Sequence, residues 1–134
     1  MATGRSWEHL TRRPDFLRVA ATRRRCVTPG LILQAAESSA ELPESAFRLG
    51  FTASRKVGGA VQRNRARRRL KAAAGQVMTV HAVPGMDYVL VARAETVKRP
   101  FLGLIADLET ALRRLKMWRG DGGPVRRHWI RGNG

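Results

Sequence analysis

Six cations fall within nine residues at Arg63-Asn64-Arg65-Ala66-Arg67-Arg68-Arg69-Leu70-Lys71. A planar guanidinium donates two parallel hydrogen bonds to a phosphate and also stacks on a base, which a lysine ammonium does not do. Asn64 adds a group that both donates and accepts. Arg55 and Lys56 precede Gly58-Gly59, where backbone can turn sharply or approach a ligand closely. A helix starting after such a turn offers unpaired amides and a partial positive charge to a further phosphate. The chemistry within reach of this string is the binding of a polyanion.

The charge is local. The 42 residues from Ser45 to Met86 hold no Asp or Glu but nine Arg and Lys, Arg48 among them. A merely solvated helix face mixes signs at three- and four-residue spacing, because like charges that close destabilise a helix by a few tenths of a kcal/mol per pair. Here every such neighbour is positive, which favours nucleic acid as the partner. The chain of 134 residues carries 26 Lys and Arg against 10 Asp and Glu, a formal charge of +16, and 22 of the 26 are arginine. Charged residues total 27%, an ordinary share, so the anomaly is one of sign and not of amount.

Catalysis by the polypeptide itself is not expected. Phosphodiester hydrolysis needs clustered carboxylates for metal ions or a histidine pair for acid and base work. The carboxylates of the presumed core are Asp87, Glu95, Asp107 and Glu109; the last two point apart on one helix and read as surface residues. His81 reads as a helix end, and His9 and His128 lie in flanking segments. No Ser/His/Asp set, Cys/His pair or P-loop is present. The single Cys26 rules out an intrachain disulfide and, with three scattered histidines, a zinc knuckle. A reducing, cytoplasmic location is expected. No apolar run is long enough for a membrane span, no apolar signal core follows Met1, and Glu8 and Asp15 interrupt the Arg-rich start, so neither a signal nor a transit peptide is expected.

The elements that must position these residues follow from patterning. Apolar residues make up 43%, enough for one core, expected over residues 1–118. Pro14 at a first turn, then Phe16, Val19 and Ala20, predicts a helix over 13–21, closed by Thr22-Arg23-Arg24-Arg25. Residues 31–36 read as a short buried strand, 37–45 as a loop, and the alternation of Phe47, Leu49, Phe51 and Ala53 as a half-buried strand. Residues 60 to about 74 have helical composition, with a possible continuation through Val77 and Val80 up to Pro84-Gly85. At about 100° per residue, Ala66, Leu70, Ala73 and Val77 share one narrow sector, and the cations fill most of the rest. Residues 87–93 form the clearest strand, and Pro100 opens the clearest helix, striped by Phe101, Leu104, Ile105, Leu108, Leu112 and Leu115. The Gly- and Arg-rich residues 119–134 are expected to be a mobile tail. Trp7 and Trp129 fall outside the predicted core without a role. The order α-β-β-α-β-α makes an α+β protein with a small sheet.

The string Arg55-Lys56-Val57-Gly58-Gly59-Ala60-Val61-Gln62-Arg63-Asn64-Arg65-Ala66-Arg67-Arg68 closely resembles the signature of the bacterial ribonuclease P protein subunit. The resemblance extends to Pro14-Asp15-Phe16, to Leu49-Gly50-Phe51-Thr52 and to Asp87-Tyr88-Val89-Leu90-Val91-Ala92-Arg93, and covers about residues 9–116. It implies a two-layer sandwich of mixed sheet and helices with a left-handed βαβ crossover, against the usual hand. It implies an accessory subunit of the ribonucleoprotein endonuclease that removes the 5′ leader from precursor tRNA, with cleavage performed by the RNA subunit and its magnesium ions. Arg55, Lys56, Arg63, Asn64, Arg65, Arg67, Arg68 and Lys71 would then face the catalytic RNA. The single-stranded leader would lie in a sheet cleft around Phe16, Arg18, Leu33 and Gln34, where aromatic stacking is the usual device. Ala20 and Gln34 stand where the family often has further aromatics, which implies weaker stacking and a larger part for Arg18 or the strands. Neither a membrane nor a protein partner is implied.

Composition alone fits a ribosomal or other structural RNA-binding protein equally well. A metal-dependent nuclease acting alone is the third class, and it would have to use Asp87 or Asp107.

Overall fold

A strand buried on both faces must be apolar almost throughout, and Met86–Ala92 meets that demand with six of its seven residues buried. It is the central strand of a five-stranded mixed sheet in a computed structural model that describes residues 7–120. In chain order the elements are β1 (Trp7–His9), α1 (Arg13–Ala21), β2 (Arg25–Val27), β3 (Leu31–Glu37), β4 (Phe47–Thr52), α2 (Ala60–His81), β5 (Met86–Ala92) and α3 (Phe101–Arg114). The strands lie in the order β1-β4-β5-β3-β2. β1, β4 and β5 run parallel, while β3 is antiparallel to both β5 and β2. β4, α2 and β5 form the crossover unit that joins neighbouring parallel strands.

The predicted order is present, with two additions. β1 and β2 are three-residue edge strands too short to show a period, and each carries charge that discourages pairing with another chain. Trp7, without a role in the sequence reading, lies on β1 with its ring 6.5 Å from that of Phe47 and packs against the main core. The tail expected over 119–134, Trp129 included, lies outside the described residues except for Arg119 and Gly120. Arg119 donates its amide to the His81 carbonyl at 2.6 Å, and Trp118 stacks on the His81 ring at 3.7 Å.

Alternation sorts the sheet into two faces. Leu31, Leu33, Ala35, Phe47, Leu49, Tyr88 and Leu90 point to one side and are fully buried with α2 and α3. Ala36 and Val89 point to the other, under Val19 and Phe16 of α1 and beside Leu10. α1 covers only part of that face and adds a partial third layer. Asp107, expected at the surface, is buried instead: its carboxylate accepts from the Gly30 amide at 2.9 Å and from Arg99 Nε and Nη2 at 2.6 and 3.0 Å. A lone acid on an amphipathic helix reads as solvated because its distant partners are invisible in sequence.

The other buried carboxylate fastens α1 to the sheet. Asp87 is fully buried on β5 and accepts two hydrogen bonds from Arg48 on β4, Nε at 2.8 Å and Nη2 at 2.7 Å, and another from Arg18 on α1. Arg18 also donates to the Glu37 carbonyl at 3.0 Å, and Asp15 lies 3.6 Å from both guanidinium groups. Burial pushes the Asp87 carboxyl up, but hydrogen bonds from Arg48, Arg18 and Ser38 outweigh it and hold the group below its ordinary value.

Removing this charge leaves two guanidinium groups without their anion, so Asp87→Asn is expected to destabilise the fold by about 3–5 kcal/mol in urea denaturation at neutral pH. The ionised group's contribution is complete above its unfolded value of about 3.9 and is lost as pH falls through the lower folded value. Acidification below about pH 4 should therefore cost the wild type more stability than the variant.

Candidate nucleic-acid interface

The strand-turn-helix that carries the basic string is built to leave its donors outside. After β4 the chain makes a 3₁₀ turn, Arg55–Val57, in which the Ser54 hydroxyl accepts from the Lys56 amide at 3.3 Å. Gly58 follows at φ 140° and ψ −161°, a conformation open essentially to glycine alone. Gly59 then precedes α2 with ordinary dihedrals, no side chain caps the helix, and its first turn has no acid. The amides that an N-terminal Ser or Asp would satisfy remain available to an external anion.

α2 is 22 residues long and, as predicted, meets the core along a thin stripe: Ala66, Leu70, Ala73, Ala74, Val77 and Met78 are buried. Arg55, Lys56, Asn64, Arg65, Arg68 and Lys71 are exposed, and Arg63 and Arg67 half-exposed. Arg67 Nη2 donates to Asn64 Oδ1 at 2.7 Å, fixing both side chains on one side of the helix. Lys71 Nζ stands 5.9 Å from the centroid of the Phe51 ring. Asn64, Arg67, Arg68 and Lys71 share one groove, and Arg65 and Arg68 flank a shallower one beside Phe101. Arg55, Lys56 and Arg63 lie outside both linings. Among the described residues, none of these cations is ion-paired with a carboxylate.

Two cations of the acid-free stretch are used internally. Arg48 serves Asp87, and Arg69 turns toward the loop before α3, where Nη1 donates to the Val97 carbonyl at 3.0 Å and Nη2 to the Arg99 carbonyl. Sequence alone does not separate Arg69 from its neighbours, since its partners are backbone carbonyls.

The second surface is the part of the sheet that α1 leaves open. Phe16 is half-buried there, against Gly50: a Cβ at that position would come within 2.5 Å of the ring. Gln34 is half-exposed on the same face, in register with Arg25 and Val89. Leu33 requires a correction: it is fully buried on the opposite face with α2 and α3 and cannot line this surface. Neighbouring strand residues point to opposite sides, so Leu33 and Gln34 could not both face one cleft. Arg18 is at the rim but bound to Asp87 and the Glu37 carbonyl. The half-exposed Ile32, Val91 and Thr52, in register across three strands, complete the floor and were missed; the same alternation pointed to them.

This chain is similar to known proteins in both sequence and fold. The family model described as Ribonuclease P matches residues 5–116. The ribonuclease P protein component of Paramagnetospirillum magneticum is 53% identical over 109 residues, covering 81% of this chain and 82% of the relative. That of Ruegeria pomeroyi is 48% identical over 107 residues, with 79% and 84% covered. Among solved structures, the RNase P protein of Staphylococcus aureus superposes with a TM-score of 0.67 at 22% identity, covering 83% of this chain and 97% of that one. The RNase P protein of Thermotoga maritima gives 0.64 at 24% identity, with 84% and 99% covered. These two likenesses concern the fold.

Two arginines four residues apart should separate in their effect on stability. Arg69→Ala is expected to cost about 1–3 kcal/mol, because two carbonyls lose a charged donor. Arg65→Ala should stay within about 0.5 kcal/mol of wild type. Urea denaturation of both variants checks the assignment.

Proposed function

Because this chain belongs to the ribonuclease P protein family, we propose that it binds the catalytic RNA of ribonuclease P through the α2 face and the 5′ leader of precursor tRNA across the open strip of the sheet. In this role it promotes endonucleolytic removal of the leader and supplies no cleavage chemistry of its own. The observation that carries the reading is the cluster of Arg55, Lys56, Arg63, Arg65, Arg67, Arg68 and Lys71 around a helix start with no acid to neutralise it. Such a surface takes a phosphate backbone, and its arginines can grip phosphates bidentately.

The family resemblance brings magnesium with it. Among the described residues no group of three or more His, Cys, Asp or Glu converges as a metal site. The buried carboxylates, Asp87 and Asp107, already accept guanidinium hydrogen bonds. The described residues do not fit a magnesium site, and we assign the ions to the RNA. The described helices include none long and apolar enough to cross a membrane; a cytoplasmic location belongs to the proposal.

The deciding assay combines the protein, its cognate RNA subunit and precursor tRNA at low magnesium. Cleavage or substrate affinity should rise when the protein is added; no change in either overturns the proposal. Arg65→Ala should weaken assembly with the RNA subunit by about 1–2 kcal/mol, the loss of one charge-assisted phosphate contact. With about six phosphates engaged, log affinity should fall against log salt with a slope of roughly −4 to −5. A slope near zero removes the electrostatic basis.

A further inference from the structure

The groove that α2 shares with the sheet edge has a chemistry that backbone binding alone does not require. It is about 680 Å³ in volume, floored by Leu49 and Phe51 of β4. Its near wall is α2, where Val61 is 72% exposed, a large apolar side chain at the start of an otherwise cationic helix. Its far wall is the segment from His9 to Thr11 after β1. Arg67, Arg68 and Lys71 stand along it, and no acid contributes to its lining. A phosphate backbone lying on the surface is served by cations and gains nothing from an apolar floor.

We propose that this groove receives one unpaired nucleotide of the bound RNA, its base over Phe51 and Val61 and its phosphate on Arg67, Arg68 and Lys71. The inference rests on the RNA-binding reading above and adds the class of RNA feature recognised there. The volume lies within the usual range for a small-molecule site. A base inside a duplex is stacked and cannot enter, whereas bulged and loop bases are free to leave the stack and pack on aromatic or guanidinium planes. Asn64 supplies the polar contact for a base edge: its Oδ1 is taken by Arg67, which leaves the amide N–H groups as donors. The site is distinct from the open strip, because Phe51 pairs with Leu90 on the face that carries α2.

The test uses the full-length protein and three RNA hairpins with the same stem: fully paired, with one bulged adenosine, and with an abasic residue at the bulge. The bulged hairpin should bind about tenfold more tightly than the other two, as expected for one stacked base. That ratio should persist as salt is raised, while all three affinities fall. In Val61→Ser, an exposed position, the ratio should shrink toward one. Equal affinity for all three hairpins overturns the nucleotide site and leaves RNA binding standing. A ratio unchanged in Val61→Ser overturns the assignment to this groove. Failure to bind any of the three overturns the RNA-binding reading itself.

Discussion

A helix whose surface carries five like-charge pairs at three- and four-residue spacing stays on its sheet only if the remaining stripe packs well. Those pairs cost on the order of 1–2.5 kcal/mol together. Against them, Leu70, Val77 and Met78 are buried to 2% exposure or less, and each contributes about 1.5–3 kcal/mol. Packing therefore wins by several kcal/mol, and the charge can be kept. Ala66, Ala73 and Ala74 complete the stripe with side chains small enough for the helix backbone to lie close to β4 and β5. Every other feature of the basic face depends on this margin, including the helix start left without an acid or a cap.

The scarcity of acids has a structural counterpart. Among the described residues two acids, Asp87 and Asp107, are buried, and each ties together segments distant in sequence. Asp87 joins α1, β4 and β5; Asp107 joins α3, the turn before β3 and the loop ahead of α3. A carboxylate held by two guanidinium groups, or by a guanidinium and an amide, has most of its lone pairs committed. Such a group is a poor base and a poor metal ligand, and its role here is to hold the fold together.

What was legible in the sequence depended on the range of the signal. α3 and the core stripe of α2 repeat a local period over several turns, and both were readable to within a few residues, as was the alternation in β4. β1 and β2 are three-residue strands defined by their partners, and a local reading passes over them. Asp107 and Arg69 were unreadable for a related reason, since their roles are set by groups brought near only by folding. Leu33 is different, because strand parity alone would have excluded it once Gln34 was placed on the open face. The basic string was the most legible part of the site, but its division into outward and inward arginines required the fold.

That division changes what the charge of +16 means. Arg18, Arg48, Arg69, Arg93 and Arg99 all donate inward, to carboxylates or to the carbonyls of Thr28, Glu37, Val97 and Arg99. A lysine ammonium, a strongly hydrated point charge, could not span two fixed acceptors in a half-buried site at the same cost. The preference for arginine thus has two origins, an internal one in which the planar fork braces loops and an external one suited to phosphate. Net charge counts both alike. The external set around α2 is the more concentrated, with Arg55, Lys56, Arg63, Arg65, Arg67, Arg68 and Lys71 all within 17 residues on and just before one rigid helix, so that a diffuse excess of charge becomes a single cationic surface beside an apolar-floored groove.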